Sequence, residues 1–204
     1  MSGAISQEVR LLAAIAYGEA STANDPHEIG GIAFAVANRC RAWGGKTVSE
    51  LRAADPNYSY AWDGSNARFN KLMRATDSEI EPNPGMKLAV DWAQKALAND
   101  GPDPSNGAFW WDGLDFKTRY ASRPKVLDGF KWGCPSDNIF GVPEKRREVI
   151  KYWRVRNKKT GQIVDGGERG RYDSVWVSTA ARGGTVFWRH NPDYLKATGA
   201  KAYR

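Results

Sequence analysis

The sequence predicts an α+β protein that is mainly α, in one domain covering residues 1–204. Apolar residues recur at helical spacing through the first part of the chain, about residues 1–120. The apolar period changes to two in a basic portion at about 145–204, which indicates strands. With 204 residues, of which 41% are hydrophobic, the chain is long enough to bury one sizeable core.

The first predicted helix is apolar and ends in a single carboxylate. Ser6 is the expected N-cap, Gly18 weakens the helix near its end, and the polar segment 21–26 stops it. Glu19 is therefore expected where a buried helix meets a loop. A carboxyl group in such a place loses hydration, so its pKa should rise, as a general acid for glycoside cleavage requires. The alternative is an ordinary solvated glutamate at a helix end.

The second predicted helix is the central element of the core. Asp25 is placed as its N-cap, Pro26 at its first position and Glu28 at its third. The segment 29–41 is apolar on nearly all faces, which is typical of a helix buried on every side.

The rest of the chain divides into shorter elements. In chain order we expect a helix at 48–54 opened by a Thr47–Glu50 capping box, a loop at 56–64, helices at 67–75 and 84–98, a loop at 99–106, a short strand or aromatic turn at 109–111, a strand at 149–156, a turn at 158–161, and a hairpin closed around Gly183 and Gly184.

The chain is basic, with a formal net charge of +7. Lysine and arginine concentrate late in the sequence, which favours a polyanionic partner such as nucleic acid, an anionic cell wall or a membrane surface, although a solvated basic face has the same pattern. No apolar run approaches the length needed to cross a membrane, so we expect no membrane insertion.

The two cysteines and two histidines do not predict a metal site or require a disulfide. Cys40 falls on an apolar helix and is expected to be a buried free thiol, while pairing with Cys134 stays open. His27 and His190 lack the spacing of a zinc site, so neither a metal nor another cofactor is expected. The N-terminus has no basic segment followed by an apolar one, so no signal peptide is expected in this chain.

Four motifs follow one another in an order that resembles the SleB/CwlJ-type cell-wall hydrolases of the lysozyme superfamily. They are Ala16-Tyr17-Gly18-Glu19-Ala20, an apolar helix ending in Asn38-Arg39, the loop Tyr58-Ser59-Tyr60-Ala61-Trp62-Asp63-Gly64, and Asp103-Pro104-Ser105-Asn106-Gly107-Ala108 before aromatic residues. The resemblance covers roughly residues 8–120. The chain lacks the Arg-Gly-Glu that follows the glutamate in that family, and its basic β-rich tail is not a family feature.

The resemblance implies a lysozyme-like helical core with a smaller C-terminal β-rich elaboration, and a peptidoglycan glycosidase activity. Glu19 matches the family's catalytic acid. Tyr58 and Ser59 match a loop that lines the sugar cleft, with tyrosine where the family has phenylalanine.

Glycoside hydrolysis usually needs a second carboxylate, and two residues are candidates. Glu28 follows Glu19 by nine positions across one loop, so the two could face each other over a cleft. A residue at the third position of a helix also has a purely structural use, since it stabilises the helix start. Asp63 is the other candidate, with a turn residue as its alternative.

Aromatic and polar residues around the predicted loop suit sugar binding. Sugar rings stack on aromatic faces, while amides and hydroxyls bind their substituents, although such rings can equally belong to a core. The predicted substrate-binding residues are Tyr58, Ser59, Tyr60, Trp62, Asp63 and Asn66.

These observations favour a lysozyme-type muramidase that cleaves peptidoglycan glycan strands by general acid catalysis. A lytic transglycosylase is the alternative if only one glutamate works. A non-catalytic module that binds cell wall or nucleic acid is a second alternative, although no known nucleic-acid motif is present and we expect no nucleic-acid partner.

A wall hydrolase without a signal peptide needs another route to its substrate. Release through a holin is one route. The preferred hypothesis is an antibacterial toxin domain, delivered to the periplasm of a target cell by type VI secretion. We expect it to be a monomer and to be paired with a small acidic immunity protein that plugs the cleft.

Overall fold

The computed structural model describes residues 4–55 and 65–204. Its fold is α+β and mainly α, which confirms the predicted class. Within these ranges the helices are α1 (Gln7–Glu19), α2 (Pro26–Ala42), α3 (Val48–Ala54), α4 (Ala67–Arg74), α5 (Asp77–Ile80), α6 (Pro84–Ala98), α7 (Asp115–Thr118), α8 (Pro124–Asp128) and α9 (Pro192–Thr198). The strands are β1 (Trp110–Asp112), β2 (Phe130–Lys131), β3 (Val149–Arg156), β4 (Ile163–Tyr172), β5 (Trp176–Arg182) and β6 (Thr185–His190).

The helix starts form where the sequence predicts them. The Ser6 side chain accepts a hydrogen bond from the Val9 amide at the start of α1. Asp25 caps α2 by accepting from the first two free amides of the helix, and Thr47 and Glu50 form a reciprocal capping box at α3. Each cap satisfies backbone donors that a helix leaves without a partner in its first turn.

Helix α2 is the centre of the protein, as predicted. Every residue from 28 to 37 is buried, and α1 and α6 pack against it. Two consecutive glycines allow very close neighbours. A Cβ atom on Gly30 would lie 2.6 Å from the ring of Trp92, and one on Gly31 would lie 2.5 Å from the ring of Phe187.

The predicted hairpin around Gly183 and Gly184 is present as strands β5 and β6. It belongs to a four-stranded sheet of order β1-β6-β5-β2, in which β2 runs parallel to β5 and the other pairs are antiparallel. Phe187 points into the helical core, whereas the neighbouring Trp188 lies in a second aromatic cluster with Phe116 and Phe130. The C-terminal hairpin is therefore part of the hydrophobic core and is not a peripheral addition to it.

Strands β3 and β4 form a separate two-stranded ribbon. Most of its side chains are exposed on both faces. It contacts α9, where Ala197 packs against Gly170 and Tyr194 meets the ring of Tyr172 edge to face at 5.2 Å.

The two cysteines are not joined by a disulfide. Cys40 is buried in α2, as predicted, and Cys134 is exposed. Burial raises the pKa of the Cys40 thiol to about 11. In the described part of the chain, the helices are too short or too polar to cross a bilayer.

We expect the substitution Gly31→Ala to destabilise the protein by about 1–2 kcal/mol, although alanine favours a helix over glycine. The added methyl group would overlap the ring of Phe187, which is fully buried and has no room to move. Chemical denaturation measures the loss. Gly167→Ala is the matched control, because a Cβ there meets no atom within 4 Å. Adding Phe187→Leu to Gly31→Ala should restore part of the stability, and absence of any rescue would contradict the proposed overlap.

Candidate active site

Glu19 ends α1 and is held by the first residue before α4. The amide nitrogen of Asn66 lies 3.3 Å from Oε1 of Glu19 and donates a hydrogen bond to it. The amide oxygen of Asn66 accepts from the Phe69 backbone N–H at 3.0 Å, capping α4. Because the cap commits the oxygen to Phe69, the amide nitrogen faces Glu19. Gly18 allows this approach, since a Cβ there would lie 2.9 Å from the Asn66 side chain.

Trp111 supplies the second partner of Glu19. Its side chain donates a hydrogen bond to the Glu19 carboxyl group. Successive residues of β1 point to opposite faces, so Trp111 lies on the helical side of the sheet while Trp110 packs on the other face against Trp176.

Burial raises the pKa of Glu19 above its ordinary value. The hydrogen bonds from Trp111 and Asn66 act in the opposite direction, and the negative charge of Asp115 adds to the increase. Desolvation is the largest of these effects, because the negatively charged form loses water at this site. The sequence-based expectation of a raised pKa agrees with this direction.

Glu19 opens into a pocket of about 400 Å³. Its lining residues are Glu19, Trp111, Asp112, Gly113, Asp115, Arg123 and Thr185. The floor and wall therefore come from the end of α1, the end of β1 and the loop after it, the segment before α8, and the start of β6. A pocket of this size, with one aromatic ring and several charged groups, can hold a sugar residue.

The two aspartates of the pocket differ in their surroundings. Asp112 is buried and pairs with Arg123 and with Lys125, whose Nζ lies 2.8 Å from it. Asp115 is about half exposed and pairs with Arg123 at 2.7 Å. Asp112 thus fixes the cationic side chains in place, while Asp115 keeps an accessible carboxylate near Glu19.

Glu28 lies behind this pocket and is almost completely buried. Its carboxylate accepts four hydrogen bonds, from the Ser21 amide at 3.1 Å, the Ser21 hydroxyl at 2.5 Å, the Gly184 amide at 3.2 Å and the Thr185 hydroxyl at 2.7 Å. Thr185 lines the pocket and also donates its hydroxyl hydrogen to Glu28. Glu28 therefore reaches the pocket through the Thr185 hydroxyl.

The loop that carries the chain from Glu19 to Glu28 is anchored by Arg68. Its guanidinium donates to the carbonyl oxygens of Tyr17 and Ser21 and to the side chain of Asn24. It also lies over the Tyr17 ring, with its central carbon 4.0 Å from the ring centroid. This anchoring fixes the direction in which α1 presents Glu19.

The predicted site residues fall into three groups. Glu19 and Asn66 are brought together as a hydrogen-bonded pair. Glu28 is close to the pocket but is enclosed by its hydrogen bonds. The remaining predicted residues, Tyr58, Ser59, Tyr60, Trp62 and Asp63, lie outside the described residues.

Six residues of the pocket were not among the sequence predictions, namely Gly113 and five residues with larger side chains. These five are Trp111, Asp112, Asp115, Arg123 and Thr185. The sequence held a signal for Trp111, since alternation along the predicted strand at 109–111 separates the faces of neighbouring tryptophans. No local pattern marks the others, because strand pairing and the packing of α8 bring them to Glu19.

Comparison with protein-family models, curated proteins and solved structures finds no match for this chain.

We expect the substitution Glu19→Gln to stabilise the protein at alkaline pH by about 1 kcal/mol, because it removes a buried negative charge; gains of this size are common for stabilising substitutions. Because the pKa of Glu19 is raised in the folded state, its contribution to stability is full below the unfolded pKa and declines as pH rises through the folded pKa. Urea denaturation of both proteins at pH 4 and pH 8 checks this. A stability difference that is equal at the two pH values would contradict the raised pKa.

Glu28→Gln is expected to reduce the free energy of unfolding by about 2–4 kcal/mol. A glutamine amide would turn its NH₂ group toward donors at Ser21 or Thr185 and leave one of them without an acceptor. Glu50→Gln is the matched control, since Glu50 has the same third position in α3 but is exposed, and glutamine also serves in a capping box. We expect a change below about 0.5 kcal/mol there, and equal effects in the two variants would exclude a structural role peculiar to Glu28.

Proposed function

We propose that this protein is a peptidoglycan glycosidase of the muramidase type, with Glu19 as its general acid. The observation that carries the proposal is the partly buried carboxyl of Glu19, whose pKa is raised and which faces a pocket lined by Trp111 and Asp115. A raised pKa favours the protonated carboxyl group, and that form can donate its proton to the leaving oxygen of a glycosidic bond.

Trp111 and Asn66 orient the acid. Both donate to the carboxyl group of Glu19, so the group is held in a defined direction. The indole ring also offers an apolar surface on which a sugar ring can stack. The pair therefore supports both substrate placement and proton donation.

Asp115 is our first candidate for the second carboxylate. It lies in the same pocket, is half exposed and carries its charge close enough to affect Glu19. Such a carboxylate can stabilise the positive charge that develops on the sugar during bond cleavage. Glu28 is the second candidate, acting through the Thr185 hydroxyl that it accepts from.

The chain's positive charge suits an anionic cell wall. In the biological setting that we favour, the domain is a toxin delivered to the periplasm of a target bacterium. An acidic immunity protein that covers the pocket containing Glu19 would then protect the producing cell.

Digestion of purified peptidoglycan, with the fragments identified by mass spectrometry, tests the proposal. We expect Glu19→Gln to lower the rate by 10²–10⁴-fold, which is the usual contribution of a general acid. Asp115→Asn should lower it comparably if Asp115 is the second carboxylate. Glu81→Gln removes an exposed glutamate far from the pocket along the chain and should leave the rate unchanged.

The fragments also decide the reaction type. Reducing ends would establish hydrolysis, and anhydro ends would establish a lytic transglycosylase that relies on Glu19 alone. A greater loss in Glu28→Gln than in Asp115→Asn, with the folded fraction of both confirmed by circular dichroism, would assign the second role to Glu28. Folded wild-type protein that releases no glycan fragments would contradict the proposal and favour a binding module.

A further inference from the structure

The ribbon of β3 and β4, residues 149–172, holds most of the protein's excess charge. This segment, the basic ribbon, has seven lysines and arginines and two acidic residues, in a chain with a net charge of +7. Both acidic residues, Asp165 and Glu168, pair with arginines of the ribbon itself. Lys158 and Lys159 lie at its tip, in the turn between the strands.

The basic ribbon also exposes apolar side chains that folding leaves in water. Trp153 is 55% exposed and Ile163 is 58% exposed. The other exposed large apolar residues of the ribbon are Ile150, Tyr152, Val155 and Val164. Clusters of exposed apolar side chains commonly mark a surface that binds another protein, a membrane or a ligand.

These apolar side chains lie on both faces of the ribbon. Val155 is paired with Val164 across the strands, and Trp153 lies two residues earlier in β3, where the pairing is irregular. The guanidinium of Arg169 lies over the Trp153 ring, 4.9 Å from its centroid. The opposite face carries Ile163 with its cross-strand partner Arg156. Cationic side chains therefore lie next to apolar side chains on both faces of the ribbon.

We propose that the basic ribbon docks on an anionic lipid membrane surface. A soft interface can surround both faces at once, with phosphate groups meeting the cations and the upper acyl region receiving Trp153 and the aliphatic side chains. A single strand of nucleic acid would stack on aromatic rings but would leave Val155, Val164 and Ile163 in water. A second copy of the ribbon is disfavoured because it brings like charge against like charge.

The docking is shallow. Within the described residues, the outer edges of β3 and β4 pair with no further strand, so their backbone groups need water or lipid head groups as partners. The tip, with Lys158 and Lys159, is polar and stays at the level of the head groups. The ribbon thus lies in the interface and does not cross it.

Flotation with vesicles tests this proposal on the whole chain. Wild-type protein should float with vesicles of phosphatidylglycerol and phosphatidylcholine and not with phosphatidylcholine alone, and binding should weaken with added salt. Each cation near an anionic surface contributes about fivefold to partitioning, so K158Q/K159Q should lose about 25-fold. W153A should lose about tenfold through its apolar area.

The matched control is K71Q/R74Q, which removes two exposed cations from the last turn of α4. It should bind nearly as well as the wild type, whereas equal losses in both double variants would indicate attraction by net charge alone and would overturn the proposal. Unchanged binding by W153A would overturn it as well. So would binding of an oligo(dT) probe by a protein that does not float with anionic vesicles. None of these results depends on glycan cleavage, which is measured separately with Glu19→Gln.

Discussion

One buried carboxylate joins the helical core to the C-terminal hairpin. Glu28 projects from the first turn of α2 and accepts hydrogen bonds from Ser21 on one side and from Gly184 and Thr185 on the other. A buried charge with missing partners costs far more than the same charge when it is satisfied, so neither loop can leave Glu28 without a large loss in stability. The hairpin is consequently fixed with Phe187 against α2, in the space that Gly31 provides.

The position of the hairpin determines the environment of Glu19. Strand β1 pairs with β6, with Trp111 opposite Phe187, so the sheet that Glu28 anchors also brings an indole N–H to the carboxyl of Glu19. Burying Glu19 opposes its ionisation, and the fold maintains this arrangement through Asn66 and Trp111. Burial thereby favours the protonated form of this carboxyl group over its ionised form.

Sequence reasoning succeeded where the causes are local and failed where they are tertiary. The caps at Ser6, Asp25 and Thr47 depend on residues within three positions, so the helix starts could be predicted. The pocket depends on Asp115 and Arg123, which come to Glu19 only when β1 has paired with β6 and α8 has packed beside it. Glu28 shows both outcomes. Its place in the helix was predicted from nearby residues, but its partners Gly184 and Thr185, about 156 positions away in the sequence, were not predicted.

The predicted β-rich tail consists of two β-structures with different relations to the core. Strand β6, paired with β5, buries Phe187 and Trp188 in two different hydrophobic clusters, so both clusters depend on this hairpin. The ribbon of β3 and β4 buries little and is held chiefly against α9. Two-stranded ribbons are only marginally stable in water, and this one keeps Trp153 exposed there. The fold thus leaves the apolar side chains of the ribbon in water, whereas contacts within the chain build the surroundings of Glu19.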